Sequence, residues 1–219
     1  MILFTTRPVG DAMATTIWGA SSSWTLTALP LFVWMGEILF RTKLSKNLFE
    51  GLAPWMQRLP GGLIHVNVVG CALFAAISGS SAATVATVGK MSIPELRKRN
   101  YPEKILLGSL AGSGTLGLLI PPSIILIIYG VTVQESIAKL FIAGILPGIM
   151  IALIFMTYVI IWSLINKKIM PKFSENFSFF EKIKKSKQLL PVILLIFGVV
   201  GSIYTGIATA TEAASLGVV

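Results

Sequence analysis

Long charge-free stretches alternate along the chain with short clusters of charged residues. Five stretches contain no Asp, Glu, Lys or Arg: Ala12–Gly36, Leu59–Gly89, Ile105–Gln134, Leu140–Asn166 and Gln188–Thr211. A membrane-spanning helix needs about 20 predominantly apolar residues, so each stretch is long enough to cross a bilayer. The pattern therefore predicts an all-α polytopic membrane protein.

The composition excludes the other broad classes of protein. Of the 219 residues, 54% are hydrophobic and 12% are charged, whereas a soluble domain carries about 25% charged residues. Cys71 is the single cysteine, so no disulfide can form within the chain. Soluble globular, disordered and disulfide-stapled proteins are all excluded.

The net charge of +9 comes from basic clusters that lie between the charge-free stretches. These clusters occupy residues 41–58, 90–104 and 167–187, while residues 135–139 are neutral. Lys and Arg concentrate in the cytoplasmic loops of membrane proteins, so we place all three clusters in the cytoplasm. No basic patch is interleaved with aromatic residues on a soluble face, so nucleic acid is not an expected partner.

The stretch Leu59–Gly89 is too long for one straight crossing. As a single helix its 31 residues would measure about 46 Å, against a hydrocarbon core of about 30 Å. Its middle, Ser78-Gly79-Ser80-Ser81, consists of weak helix formers. A re-entrant helical hairpin with its tip at Ser78–Ser81 also keeps the basic clusters on one side. A single tilted helix is the alternative.

A second break interrupts the stretch Ile105–Gln134, where glycines precede the Pro121-Pro122 pair. Glycine adds flexibility, and proline removes a backbone donor and clashes with the preceding turn, so this helix should unwind. Unwound backbone persists in a membrane where it is buried in protein or lines a cavity, and such breaks indicate transporter binding sites. Close packing of small residues is the plainer explanation of either break alone.

Both breaks offer neutral oxygen atoms and helix ends rather than charged side chains. Freed carbonyl groups and Ser and Thr hydroxyls suit a hard cation such as Na+, and helix N-termini present N–H groups to an anion. The charge-free stretches contain no Lys or Arg. We therefore expect co-bound cations, helix dipoles and hydroxyls, or residues beyond Val219, to meet the charge of an anionic substrate.

Two amphipathic segments are expected to lie in the cytoplasmic membrane interface, with membrane lipid as their partner. In the first, apolar residues recur at helical spacing among polar ones: Leu44, Leu48, Leu52, Trp55 and Met56. In the second, apolar residues stand among lysines: Phe173, Phe177, Phe180 and Ile183.

Five groups of residues occur in an order that resembles one transporter family. They are Ala28-Leu29-Pro30-Leu31-Phe32 with Gly36-Glu37, the string GGLIHVNV from Gly61 to Val68, SGSSA from Ser78 to Ala82, GTLGLLIPPS from Gly114 to Ser123, and GIATATEAA from Gly206 to Ala214. Together they cover nearly the whole chain. They resemble the large membrane subunit of tripartite ATP-independent periplasmic (TRAP) transporters.

This resemblance implies an ion-transporter-superfamily protein with an elevator-type fold of two inverted repeats. It implies Na+-driven import of small organic anions, typically carboxylates, across the bacterial inner membrane, with Na+ as the coupling ion and no other cofactor. A periplasmic substrate-binding protein would deliver the substrate, and a small membrane subunit would complete the scaffold. Such a permease is not an enzyme.

The resemblance also implies a site at the two breaks. The substrate-binding residues would be Ser78, Gly79, Ser80, Ser81, Pro121 and Pro122. A Na+ site would be formed, together with backbone carbonyls, by Ser78, Ser80, Gly114 and Thr115.

The expected segments follow from the pattern and the resemblance together. They are a scaffold transmembrane segment (1–40), an interfacial arm helix (41–60), the re-entrant hairpin (61–89), transport-domain helices (90–166) that include the broken helix (105–134), a basic cytoplasmic loop (167–187) and the start of a second repeat (188–219). Ala210 stands where the family usually has proline, and a second hairpin is absent. We expect a fragment of a longer permease that holds about half of a transport site.

Other polar residues have plainer explanations. His65 is expected to be a satisfied interfacial side chain rather than a proton relay, and Cys71 a small core residue. Glu37 and Arg41 are four apart and can pair on one helix face. Glu212 follows a long uncharged stretch, and a carboxylate inside a membrane indicates function unless it lies near the surface.

Three alternatives stay open at this level. A related carboxylate/Na+ symporter would work without a binding protein. An intramembrane serine protease would need Ser80 or Ser81 to form a dyad with His65. A passive structural subunit would fit if the protein ends at Val219.

Overall fold

The computed structural model describes residues 9–171 and 177–219, which form eleven α-helices and no β-strand. The helices are α1 (Val9–Ser21), α2 (Ala28–Arg41), α3 (Leu44–Met56), α4 (Ile64–Ser78), α5 (Ser81–Lys98), α6 (Glu103–Gly114), α7 (Ile124–Val133), α8 (Ile137–Ile165), α9 (Phe179–Ser186), α10 (Leu190–Tyr204) and α11 (Ala210–Val218). Short 3-10 helices join some of them, at Trp24–Thr27, Thr115–Leu118 and Lys187–Leu189. The all-α class is confirmed for this part of the chain.

Helix α4 lies at the centre of the fold because it is apolar on every side. Most of its residues are buried, among them Val68, Phe74 and Ile77. A helix that is hydrophobic all round belongs in a protein interior, and α4 packs against α2, α3, α5, α6 and α8. These neighbours fix the position of both of its ends.

Two helical runs in the described residues are long and apolar enough to cross a membrane unaided. One is α8, with 29 residues, and the other is the continuous run Phe179–Tyr204 that contains α9 and α10. Large apolar side chains such as Leu146 and Leu153 are exposed along α8. Exposed apolar side chains on a helix of this length are typical of a surface that faces lipid.

The first charge-free stretch is bent. Helix α1 and the run Trp24–Arg41 meet at an angle of 47°. Ser21-Ser22-Ser23 stands at the bend, and serine side chains compete for backbone hydrogen bonds and so disfavour a helix interior. In its described part, the segment expected as one span over residues 1–40 therefore consists of two helices joined by a 3-10 turn.

Helices α4 and α5 form a hairpin. Gly79 and Ser80 alone separate them, and the two helices pack against each other. The single tilted helix considered as the alternative is therefore wrong, and the turn coincides with the expected Ser78–Ser81. Helix α5 continues past residue 89 to Lys98, where Glu95 and Arg99 pair on its surface at 2.8 Å.

Helices α3 and α9 coincide with the two expected amphipathic segments and pack against each other. Of the second segment, Phe177, Phe180 and Ile183 are described, whereas Phe173 lies outside the described residues. The basic loop expected over residues 167–187 thus contains a helix, which leads through a 3-10 turn directly into α10.

Candidate functional site

The tip of the hairpin is shaped by a glycine and a capping serine. Gly79 ends α4 in the left-handed conformation, with φ of 59°, which residues with a Cβ rarely adopt. Ser80 is extended and caps α5, because its hydroxyl accepts a hydrogen bond from the N–H of Ala83 at 3.4 Å. Glycine and serine therefore reverse the chain within two residues.

A small network of buried hydroxyls holds the tip from inside. The Oγ of Ser78 lies 2.9 Å from Oγ1 of Thr84 and 3.3 Å from the carbonyl oxygen of Ser80. Thr84 also donates to the Ser80 carbonyl at 2.7 Å, and Ser78 and Thr84 are fully buried. Thr84 was not singled out from the sequence, although its position four residues after Ser80 allows this contact.

The second break lies between α6 and α7. Helix α6 ends at Gly114, a 3-10 turn covers Thr115–Leu118, and α7 begins only at Ile124. The bond between Pro121 and Pro122 is cis. Ser123 is extended and donates its hydroxyl to the carbonyl of Leu118 at 2.7 Å. The helix is therefore broken at the glycines and the Pro121-Pro122 pair, as the sequence predicts.

The two breaks touch each other. The N–H of Ile124, the first residue of α7, donates to the carbonyl of Gly79 at 3.2 Å. A Cβ placed on Gly79 would lie 2.7 Å from the carbonyl oxygen of Pro122, and one on Gly117 would lie 2.8 Å from the backbone nitrogen of Ser81. The missing side chains of these glycines therefore allow direct backbone contact between the hairpin tip and the broken helix.

Four helix ends meet in this region. Helices α4 and α6 end here at Ser78 and Gly114, and α5 and α7 begin here at Ser81 and Ile124. Helix C-termini present partly negative carbonyls and helix N-termini partly positive N–H groups. The region can therefore attract a cation with oxygen atoms and an anion with N–H groups, without a charged side chain from either stretch.

Glycines on neighbouring helices close the region from the sides. A Cβ on Gly36 of α2 would lie 3.2 Å from Cβ of Ser78. On α8, a Cβ on Gly144 would lie 2.7 Å from the Leu119 carbonyl oxygen, and one on Gly148 would lie 2.8 Å from the Ile120 side chain. Gly144 and Gly148 were missed, although their four-residue spacing is a known signal of close helix packing.

The residues predicted for the site differ in how accessible they are. Ser80 and Ser81 are half-buried, Thr115 is exposed, and Pro121 and Pro122 are buried. The Thr115 hydroxyl donates to the Gly112 carbonyl at 2.7 Å. Gly114 is buried and lies against Val85 of the hairpin. The structure thus brings the predicted residues to one region, with the hydroxyls of Ser78 and Thr115 engaged in hydrogen bonds within the chain.

His65 lies far from the tip. It stands at the start of α4 and Ser80 follows the other end, which at 1.5 Å per residue places them about 22 Å apart along the helix axis. The His65 ring is buried, and its Nε2 lies 2.8 Å from the Pro60 carbonyl oxygen. The structure therefore assembles no dyad between Ser80 and His65, and the protease alternative lacks its site.

Glu212 has a structural explanation. Its carboxylate accepts hydrogen bonds from the backbone N–H and the hydroxyl of Thr209, each at 2.8 Å, and so forms a capping box at the start of α11. Ala210, where the family usually has proline, is the first residue of that helix. Glu37 pairs with Arg41 at 2.8 Å as predicted, and Cys71 is buried.

Buried polar contacts link the hairpin to α6. The side-chain amide of Asn67 donates to Oγ of Ser109 at 3.0 Å and to the Leu106 carbonyl at 3.3 Å. Ser113 donates to the Asn67 carbonyl at 3.4 Å. Because hydrogen bonds in an apolar interior hold their partners in register, α4 and α6 are fixed side by side, and this pairing was not predicted.

A cavity of about 1200 Å³ opens elsewhere, between the end of α1, the α7–α8 turn and the start of α11. Hydroxyl-bearing residues line it, including Thr15, Ser23, Thr132 and Thr209. None of the residues at the two breaks lines this cavity. The cavity is therefore separate from the candidate site.

Comparison with known proteins identifies the family. The family model described as the DctM component of the tripartite ATP-independent periplasmic transporter matches residues 1–219. A C4-dicarboxylate TRAP transporter large permease protein, DctM, from Pseudomonas aeruginosa is 35% identical over 95% of this chain and 48% of its own length. The 2,3-diketo-L-gulonate TRAP transporter large permease protein YiaN from Escherichia coli is 41% identical over 63% of this chain and 32% of its own length.

A third relative is also a TRAP transporter permease. It is the isethionate TRAP transporter permease protein DctMQ of Oleidesulfovibrio alaskensis, 35% identical over 94% of this chain and 32% of its own length. The chain spans about half the length of the large permease proteins that it matches. The family model matches every residue of the chain, and the apolar helices and the order of the motifs agree with it. The chain therefore belongs to the DctM family, the large permease component of tripartite ATP-independent periplasmic transporters.

Proposed function

We propose that this chain provides half of the ion and substrate site of a Na+-coupled permease that imports organic acids. The observation that carries the proposal is the contact between the hairpin tip and the broken helix, in which the Gly79 carbonyl accepts a hydrogen bond from the N–H of Ile124 at 3.2 Å. Broken helices that meet inside a membrane are the usual setting of substrate and coupling-ion sites in secondary transporters.

In the proposed mechanism, Na+ binds to oxygen atoms at the C-terminal ends of α4 and α6, where these helices enter the breaks. The donors would be carbonyls near Ser78 and Gly114 and the hydroxyls of Ser78, Ser80 and Thr115. Within the described residues no three His, Cys, Asp or Glu side chains cluster as metal ligands do. A set of neutral oxygens matches a weakly held cation that must bind and leave in every cycle.

The acid group of the substrate binds next to this cation. Helices α5 and α7 begin at the same place, and their N-terminal N–H groups favour a negatively charged ligand. A bound Na+ adds positive charge beside them, so each ligand raises the affinity for the other. This mutual effect would couple import of the acid to the Na+ gradient.

The substrate and partners follow from the family. The matched relatives are named for C4-dicarboxylate, isethionate and 2,3-diketo-L-gulonate, which supports a small organic anion as the substrate. The tripartite family supports a periplasmic binding protein and a small membrane subunit as partners. We place the permease in the bacterial inner membrane, with the α4–α5 hairpin re-entering from the cytoplasmic side in an elevator-type transport domain.

A chimaera tests this function. The matched 48% of the Pseudomonas aeruginosa permease is replaced by this chain and reconstituted with that transporter's small subunit and binding protein. Uptake of labelled succinate is then measured under an inward Na+ gradient. We expect uptake that requires both Na+ and the binding protein, with the unmodified permease as the positive control.

Matched variants locate the site in the same assay. Ser80→Ala is expected to raise the Na+ concentration needed for half-maximal uptake several-fold, since a cation ligand is lost. Ser215→Ala removes an exposed hydroxyl from α11 and should leave uptake unchanged. Uptake with Na+ alone would instead indicate a symporter that needs no binding protein. An equal response of both variants to Na+ would contradict the assignment of Ser80.

A further inference from the structure

Helices α3 and α9 meet around one tryptophan. The indole N–H of Trp55 donates to Oγ of Ser186 at 2.8 Å. Its ring stands edge-to-face with Phe179, with centroids 6.5 Å apart, and the Nζ of Lys182 lies 5.5 Å from the ring centroid. These contacts fix α9 against α3, so the side chains around Trp55 form one surface.

Lys182 is buried and lacks a carboxylate partner among the described residues. Lys182 is only 7% exposed, and none of the ion pairs among the described residues involves it. The neighbouring Glu181 instead accepts a hydrogen bond from the N–H of Ser178 at 2.8 Å. The described partner of the Lys182 ammonium group is the Trp55 ring, so Lys182 holds α9 against α3. The exposed lysines Lys184 and Lys187 are the ones that can meet an anion from outside the chain.

The outward face of α9 combines apolar and basic side chains. Phe180 is 82% exposed and Ile183 is 44% exposed, and Lys184 is exposed as well, as is Lys187 at the start of the 3-10 turn that continues the helix. These four residues follow the helical spacing i, i+3, i+4 and i+7, so they share one face. Aromatic and aliphatic side chains among lysines are typical of a helix that lies in a membrane interface.

The position of α9 along the chain sets its depth. It runs through a 3-10 turn straight into α10, without an intervening loop. The 15 residues of α10 are about 22 Å long, and this apolar helix occupies much of the hydrocarbon core. Leu189 at the junction packs on Gly51 of α3, so α3 and α9 are held together at the level of the lipid headgroups.

We propose that this platform, defined as Trp55, Phe180, Lys184 and Lys187, binds anionic phospholipid of the phosphatidylglycerol type. The headgroup phosphate approaches the lysines, while Phe180 enters the acyl boundary beside it. Charge complementarity favours an anionic lipid over a zwitterionic one, because each lysine near such a surface contributes attraction. The proposal depends on the membrane location of the chain and is independent of its transported substrate.

Quenching of Trp55 fluorescence tests the proposal on the full chain. In a variant whose other tryptophans (Trp18, Trp24, Trp34 and Trp162) are changed to Phe, Trp55 is the single reporter. The chain is reconstituted in phosphatidylcholine vesicles that contain either brominated phosphatidylglycerol or brominated phosphatidylcholine. We expect stronger quenching by the brominated phosphatidylglycerol, with a preference that weakens at high salt.

Lysine variants identify the groups that bind the lipid. The double variant Lys184→Gln and Lys187→Gln removes the two exposed charges, leaves the packing around the buried Lys182 intact and should lower the relative binding constant for phosphatidylglycerol at least about fivefold. As a control, Lys139→Gln removes a lysine charge from an exposed position in the first turn of α8 and should have no effect. A chain with Trp24 as its single tryptophan should show no lipid preference.

Contrary outcomes are equally clear. Equal quenching by the two brominated lipids would overturn the proposal, as would a preference that survives loss of Lys184 and Lys187. Absence of quenching by either lipid would show that water or a protein surface, rather than lipid, covers Trp55.

Discussion

Replacing Gly79 by alanine tests whether the hairpin tip and the broken helix form one packed unit. Gly79 has φ of 59°, and the new Cβ would lie 2.7 Å from the carbonyl oxygen of Pro122. Both the backbone conformation and the space around the residue therefore oppose the added methyl group. The neighbouring atom belongs to the backbone of a buried proline, so it cannot move aside as a flexible side chain would.

The expected loss of stability is the sum of two effects. A left-handed conformation costs a residue with a Cβ about 1–2 kcal/mol. Relief of the clash separates the tip from α7 and loses the hydrogen bond from Ile124 to Gly79, which contributes about 1 kcal/mol. We therefore expect Gly79→Ala to lower the free energy of unfolding by about 2–3 kcal/mol.

Unfolding of the chain in detergent micelles, followed by circular dichroism during titration with a denaturing detergent, measures this difference. Gly108→Ala is the matched control, because Gly108 lies within α6 and its added Cβ meets nothing within 4 Å. That variant should be as stable as the original chain or more so by up to about 1 kcal/mol. If Gly79→Ala is no less stable than Gly108→Ala, the described contact between the breaks does not exist.

Further outcomes can be checked in the same way. Gly117→Ala should lower the unfolding free energy by about 1–3 kcal/mol through overpacking against the hairpin backbone, and an unchanged midpoint would refute this. Tyr101→Phe should lower it by about 1–3 kcal/mol, because the buried Tyr101 hydroxyl accepts a 3.0 Å hydrogen bond from the N–H of Leu63. The hydrogen bond and charge of Arg97 lower the pKa of Glu103 below its usual 4.5. The stability from this pair is therefore present above about pH 4.5 and lost as the pH falls through the lowered pKa. Glu103→Gln should remove that part of the acid sensitivity in unfolding measured across this range.

The two breaks could be predicted because their causes are local. Gly79 and the Pro121-Pro122 pair act on the backbone next to them, and no distant residue is needed to end the helices there. The hairpin followed from the length of an uncharged stretch and from the placement of basic clusters. The resemblance to TRAP permeases rested on the order of the same strings and is confirmed over the whole chain.

What was missed depends on contacts between distant parts of the chain. The approach of Gly36 to Ser78, and of Gly144 to Leu119, joins residues far apart in sequence, and small residues alone do not say what packs against them. The expected hairpin segment ended with the charge-free stretch at residue 89, whereas α5 itself runs on to Lys98. A helix continues through charged residues wherever they stay at its surface, as Glu95 does.

The hydrogen bond between Ile124 and Gly79 has a consequence for motion. A gate formed by the hairpin tip alone could not swing away from α7 without breaking that bond and exposing the Ile124 amide to water. The rate of hydrogen–deuterium exchange at this one amide would therefore report how often the gate opens. If the hairpin and the broken helix move together as one rigid unit, exchange at the Ile124 amide stays slow during that movement. The sliding of the unit and the opening of the tip can therefore be measured separately.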